Sequence, residues 1–486
     1  MPPSISFPVI IAAFAFLGAT QSVRAEEYRT FTNTKGQSIK AKVMAVANGQ
    51  AKIAMENGGE FNIPINSLSP ADQEYLKNWT APSSSAPLPS GGTDVAKINE
   101  VIGHSLFVDK PLWDSQPSEV AGRLDWPRES QTEISESYRA YPDKEYRFLG
   151  ARPYSAALYG ENGKVTSISI VFANKGDSFG ALGSGEEHFI KGEEVPRTME
   201  GVKMIMENDE ATIAEELTAL LGEPERQKFG EGESRVDVQR WDWAGHSFLL
   251  SHVEEEYVSL AIETTEFADA RGRNARISDA TIRERVRGFV EKRENGDVVI
   301  TNIPMVDQGP KGYCVPATAE RCMRFLGIQA DMYLLAMVGE TSIGGGTSVD
   351  VLLSNIGRDI KRKGRSFEIE TGELKMRDIQ RSIDDGIPII WAIQSTKEFN
   401  DIATARTESR KSDPWDAYKA SVAAGIEDPQ LYPANDRGHV VIIIGYNEET
   451  NEIAFSDSWG ERFLERWISI PEGEIISQKR FYIIDL

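Results

Sequence analysis

Four side chains in this sequence have the types and the order for covalent chemistry: Gln308, Cys314, His439 and Asp457. Cys314 follows a loop rich in Gly and Pro, DQGPKGY, and opens the segment CVPATAERCMRFLG, where Ala317, Cys322, Phe325 and Leu326 share one helical face. A thiol at a helix N-terminus lies beside unpaired N–H groups and the positive end of the helix dipole, which favours thiolate. A nucleophilic thiolate needs a base, and the base needs an acceptor to orient it. His439 begins the apolar run VVIIIGY, after which the chain turns at residues 447–451 and returns through IAFS to Asp457. Antiparallel pairing of the two strands brings the carboxylate beside the imidazole, with Trp459 placed to cover the pair from water. Gln308, six residues before Cys314, supplies an amide that could join the Cys314 backbone N–H in binding the oxyanion of a tetrahedral intermediate. Taken singly, Cys314 and His439 each read as structural residues; the order Gln, Cys, His, Asp, with a hairpin between the last two, sets them apart. The chemistry they predict is attack of a thiolate on a carbonyl carbon. An amide oxygen at 457 can still accept the ring N–H, so Asp457→Asn is expected to keep part of the activity.

These motifs resemble known families. DQGPKGYCVPATAERCMRFLG resembles the cysteine helix of the bacteriocin-leader-peptidase-like cysteine peptidases of papain-like fold, and GGGTS at 344–348 resembles the loop before their next helix. GHVVIIIGY is similar to their histidine strand, and SDSWG at 456–460 to the NSWG of papain, with Asp457 in place of Asn. The likeness runs from 298 to 486. It implies a cysteine peptidase with Cys314 as nucleophile, His439 as base, Asp457 as orienting residue and Gln308 as oxyanion donor, acting on a peptide or protein substrate without cofactor or metal. One position departs: Val315 stands where these families carry Gly, and its branched side chain is expected to narrow the cleft. Two other readings use the same residues: a papain-fold scaffold that binds without catalysing, and transglutaminase-like acyl transfer. A dedicated leader peptidase of an exporter is disfavoured because the membrane and nucleotide-binding domains of such proteins have no counterpart here.

The elements that must position this site belong to a chain of 486 residues, enough for several domains. A net charge of −22 repels phosphate backbones, so nucleic acid is a poor candidate partner and none is expected. The two cysteines, Cys314 and Cys322, lie eight residues apart; on one helix that is about 12 Å, beyond disulfide reach. Residues 7–18, FPVIIAAFAFLG, followed by VRA at 23–25, read as a secretory signal spanning 1–25, which predicts a secreted or periplasmic protein with no stable membrane insertion after cleavage. Residues 26–79 alternate short strands with turns at Asn48-Gly49 and Asn57-Gly58 and read as a small barrel of about five strands. Their TNTKGQSIKAKV and IPINSLSPADQEYLKNW segments resemble the SH3-like homology domain of an endocytic adaptor, which implies a peptide or protein ligand.

Residues 80–93, rich in Pro, Ser and Gly, form a linker. Residues 94–290 read as an α+β domain of two similar halves, each a helix (SEVAGRLDWP at 118–127, ATIAEELTALLGEP at 211–224) followed by an antiparallel meander, the first turned at Asn162-Gly163. Of its histidines, only His246 and His252 could share one strand face, and hydrogen-bonded or surface roles are expected for all. The predicted fold class is therefore multidomain: an SH3-like β-barrel, an α+β domain, and at 298–486 an α+β papain-like domain. The polar segment 397–436 just before His439 reads either as a lid or substrate-selecting wall or as a surface excursion.

Overall fold

The computed structural model describes residues 28–77, 94–178, 198–273, 278–338, 366–425 and 438–485, less residues 35, 48–49, 56–59, 233–234 and 310–311 within them, and residues 351, 352, 354, 355 and 357. The signal segment, the linker, the Asn48-Gly49 and Asn57-Gly58 turns, the GGGTS loop and His188 lie outside the described residues. The chain divides into two compact units, Met1–Ala86 and Pro87–Leu486.

In the first unit, β1 (Arg29–Thr32), β2 (Ser38–Ala47), β3 (Gln50–Met55) and β4 (Glu60–Pro64) form an antiparallel meander in chain order. Alternation puts Phe31, Ala41, Val43, Ala51 and Ile53 on the buried face, where Leu68 and Leu76 of the following segment cover them. The expected barrel of about five strands is corrected here to an open sheet of four. Between Pro64 and the helix Pro70–Lys77 the chain is short, and Ile65–Ser67 winds into a 3-10 turn. Only Leu68 is left to bridge back, to Asn33, where a fifth strand would have paired.

The second unit contains two large antiparallel sheets. The first comprises β5 (Arg128–Gln131), β6 (Ser135–Ala140), β7 (Ser155–Glu161), β8 (Lys164–Asn174), β9 (Glu225–Phe229), β10 (Val236–Trp243), β11 (His246–Val253) and β12 (Tyr257–Thr264). Their spatial order is β5-β6-β7-β8-β12-β11-β10-β9, two four-stranded meanders joined along their last strands. Each meander follows a helix, Pro117–Leu124 for one and Met199–Leu221 for the other. Asn162 and Gly163 both take positive φ (50° and 74°), the geometry of a tight hairpin turn between β7 and β8. Val202, Met206, Ile213 and Leu217 of the longer helix are fully buried in the same core as Phe172, Trp241 and Phe248 of the sheet.

The other sheet is built from β13 (Val290–Lys292), β14 (Asp297–Ile300), β15 (Ser366–Thr371), β16 (Ile389–Gln394), β17 (Gly438–Asn447), β18 (Glu452–Ser456), β19 (Arg466–Ser469) and β20 (Ser477–Asp485). Its main path runs β13-β14-β17-β16-β20-β15, with β18 on β17 and β19 on β18. The apolar run of the histidine segment is β17, buried from His439 to Asn447. Strand β14 passes so close that a Cβ on Gly445 would lie 2.6 Å from the Val298 carbonyl oxygen, so this position of the run requires glycine. The helix Cys314–Phe325 packs on this sheet with one face, and its other face is covered as well. A cluster of Val171, Val306, Tyr313, Ala317, Met332, Tyr333 and Ala336 joins the two sheets' regions into one core.

Candidate active site

Cys314 is the first residue of the helix Cys314–Phe325, partly exposed, with Pro316 in the first turn where its missing N–H is harmless. Burial raises the thiol's pKa, yet a hydrogen bond to His439, that ring's charge, and backbone hydrogen bonds at Val440 and Val315 outweigh it and hold the pKa below the usual thiol value. Cys322, two turns on, is 1% exposed, and burial pushes its thiol up to about 12. His439 is the second residue of β17, and its Nε2 lies 2.6 Å from Asp457 Oδ1. That bond leaves Nδ1 as the ring nitrogen for Cys314. Strand β18 ends at Ser456, one residue before Asp457, and its pairing with β17 carries the carboxylate to the histidine end of that strand. Trp459 stacks on the imidazole, centroids 4.8 Å apart and planes 22° apart.

Gln308 lies in a loop that strong contacts pin on both sides. Its backbone N–H donates to the Ser458 carbonyl at 2.9 Å, which sets it next to the Asp457 turn. On the other side the Met305 N–H donates to Ser130 Oγ (2.9 Å), the Asp307 N–H to Glu129 Oε1 (3.0 Å), and the Tyr141 hydroxyl to the Asp307 carbonyl (2.5 Å). The structure thus brings Cys314, His439 and Asp457 into contact and fixes the Gln308 backbone beside them.

Sequence reading missed Arg466, the first residue of β19, which donates through Nη2 to Asp457 Oδ2. It also missed Arg321, fully buried on the cysteine helix, whose guanidinium donates to Ser456 Oγ (2.5 Å), Ser458 Oγ (3.4 Å) and the Pro304 carbonyl (2.9 Å). Neither carries a local signal, because an arginine in LERWISI or in ATAERCM reads as a solvated charge.

Two expectations are corrected. Val315 is 3% exposed and belongs to the main core of the sheet, so its side chain fills that core and does not narrow a cleft. The described part of 397–436 forms the helices Lys397–Ser412 and Trp415–Ala424, and the first is no surface excursion, since buried side chains anchor it. Thr407 Oγ1 accepts the Trp467 N–H of β19 (3.0 Å), Arg406 pairs with Glu472 (2.6 Å), and Arg410 pairs with Asp297 and Glu452 while lying 3.8 Å over the Trp467 ring.

His246 and His252 both lie on β11 with separate partners. His246 is buried, accepting the Leu112 N–H at 3.0 Å, and His252 sits 2.6 Å from Glu210. Among the described residues no group of three His, Cys, Asp or Glu is placed to hold a metal ion, and no described helix is long and apolar enough to cross a membrane.

Compared with known families, residues 300–481 match the Peptidase_C39 like family. The match supports a papain-like cysteine peptidase-type region there and leaves the SH3-like reading of 26–79 without support. No curated protein matches the chain.

Proposed function

We propose that the region carrying β13 to β20 is a cysteine peptidase of the papain-like kind, acting through Cys314, His439, Asp457 and Gln308. The observation that carries this reading is the position of His439, whose ring favours the Cys314 thiolate and whose Nε2 lies 2.6 Å from a fully buried carboxylate. The Cys314 thiolate attacks the scissile carbonyl carbon, and negative charge develops on the carbonyl oxygen. The Gln308 amide and the Cys314 N–H stabilise that oxyanion. The imidazolium then gives its proton to the leaving amine as the C–N bond breaks, leaving a thioester on Cys314. Water, deprotonated by His439, attacks the thioester, and the acid product leaves as the thiol is regained. Asp457 keeps the ring in the tautomer and orientation that both steps require. Trp459 shields the pair from solvent.

Residues 1–25 direct export, so the peptidase works outside the cytoplasm, and N-terminal sequencing of the mature protein is expected to begin at Glu26. The first unit is carried as a peptide- or protein-binding module on the strength of its sequence likeness alone.

The test uses chain lacking residues 1–25. Iodoacetamide at pH 6 followed by peptide mapping is expected to mark Cys314 and spare Cys322, and turnover of an unfolded protein substrate is expected in wild type and absent in Cys314→Ala. Equal labelling of the two cysteines, or turnover surviving that substitution, would overturn the assignment. Selective labelling with no turnover across a broad substrate panel would instead identify a binding scaffold.

A further inference from the structure

We infer that Arg466, held by Asn400 of the helix Lys397–Ser412, is a positioning residue that fixes the Asp457 carboxylate and tempers its charge on His439; this rests on the peptidase reading above. A carboxylate offers two oxygens, and here both are used: Oδ1 faces His439 Nε2 and Oδ2 takes the Arg466 Nη2 donor. Arg466 Nη1 donates to Asn400 Oδ1 at 2.9 Å, and Asn400 Nδ2 donates in turn to Ser395 Oγ (2.9 Å) and the Thr396 carbonyl (2.8 Å). Three aromatic rings surround the guanidinium: Phe455 at 4.7 Å, Phe463 at 5.3 Å and Trp459 at 5.6 Å. Its side chain is only 3% exposed, and burial lowers its pKa to about 10, which leaves it cationic at neutral pH. A buried cation gripped this closely has few orientations available, and neither does the carboxylate it holds.

The electrostatic consequence follows from which charges surround the triad. The cysteine helix contributes Cys314 itself and Arg321, whose guanidinium bonds the hydroxyls on either side of Asp457. The Gln308 loop contributes Asp307, whose Oδ2 would lie 3.5 Å from a Cβ on Gly460. Glu465, next to Arg466, is neutralised by Arg293 at 2.7 Å. Strand β19 contributes Arg466, and the helix Lys397–Ser412 meets it through the neutral Asn400, its Arg406 and Arg410 being paired with Glu472, Asp297 and Glu452. Without Arg466, the carboxylate loses one of its two donors and the Cys314 thiolate loses a nearby cation, so the thiolate becomes harder to form.

The readout is the pH dependence of Cys314 alkylation together with that of peptide turnover, for wild type, Arg466→Gln and Arg466→Lys. Arg466→Gln is expected to shift the Cys314 alkylation limb upward by about half a unit or more, and to lower kcat roughly tenfold or more with KM little changed. Arg466→Lys keeps the cation and is expected to hold the limbs near their wild-type positions. A fall in amplitude with unmoved limbs in Arg466→Gln overturns the electrostatic role. Where Arg466→Gln does not fold, Asn400→Ala puts the positioning question without removing a charge: kcat is expected to fall several-fold with limbs unmoved, and an unchanged kcat overturns the role. A shifted alkylation profile in protein that turns over no substrate would sink the peptidase reading and leave this inference standing.

Discussion

Two donors converge on the Asp457 carboxylate, and this changes what a substitution there does. An asparagine has one acceptor oxygen and one NH2 group, so turning the oxygen to His439 points the NH2 at Arg466, and the reverse flip sets it against the ring. The tolerance of Asp457→Asn expected from sequence assumed a single donor. With Arg466 buried and its anion gone, Asp457→Asn is expected to cost about 3–5 kcal/mol of stability in addition to activity. Asp457→Asn/Arg466→Met, which removes both charges, should regain much of that loss. Thermal melting of the two variants decides it, and a single variant as stable as wild type would show that the pair does not bear on folding. Cys314, His439 and Asp457 were legible as candidates because each lies at or within one residue of the end of a strongly patterned element. Arg466 was not, since its partners lie nine and 66 residues away and nothing local marks an arginine as buried.

The cysteine helix shows where reading elements from sequence succeeds and where it stops. Its start was legible from the Gly- and Pro-rich loop, and the inward face held for Cys322, Phe325 and Leu326, which join the sheet's core, whereas Ala317 is buried in the cluster between the two sheets. Thr318, Glu320 and Arg321 are also buried: Thr318 and Arg321 bond the Val440 carbonyl and the Ser456 and Ser458 hydroxyls of the sheet the helix packs on, whereas the β5–β12 sheet lies against Glu320. Glu320 meets Tyr159 (3.2 Å), Arg139 (3.5 Å) and the Met332 N–H (2.8 Å). Burial of charged residues by a second layer leaves no periodic trace within the helix that is covered. The long helix Met199–Leu221 provides a measurable case. Its Asp209 is 5% exposed and accepts the Ala173 N–H of β8 at 3.1 Å, and burial raises its pKa from 3.8 to about 7. A raised carboxyl pKa means the folded state holds the proton more tightly, so this contribution is full below pH 4 and is lost as pH climbs toward 7. The slope is at most about 1.4 kcal/mol per pH unit. Melting temperature against pH is expected to fall more steeply across that window in wild type than in Asp209→Asn, and parallel curves would refute the assignment.

At the scale of the molecule, the β5–β12 sheet and the peptidase region act as one body. Glu129 accepts from Arg139 (2.6 Å) and from the Asp307 N–H, so one carboxylate ties the sheet to the Gln308 loop. Tyr313, next to Cys314, packs against Gly176, where a Cβ would sit 1.8 Å from its hydroxyl. We therefore expect residues 94–486 to unfold in urea in a single transition, with intrinsic fluorescence and loss of Cys314 alkylation selectivity coinciding. Glu129→Ala is expected to move both midpoints together, and two separate transitions would show independent domains. Strand order adds a consequence for biosynthesis. Strand β20, the latest in the chain among the described strands, is inserted between β16 and β15, and β16 in turn flanks the histidine strand β17. A chain delivered from its amino end exposes Cys314 long before that wedge arrives, so the imidazole has no finished sheet behind it while synthesis is under way. The nascent thiol is then chemically ordinary, and the proposed activity is withheld until β20 has been delivered. Stalled nascent chains ending before Ser477 should alkylate at Cys314 no faster than a free cysteine, and a fast thiol in such chains would show that ignition precedes completion.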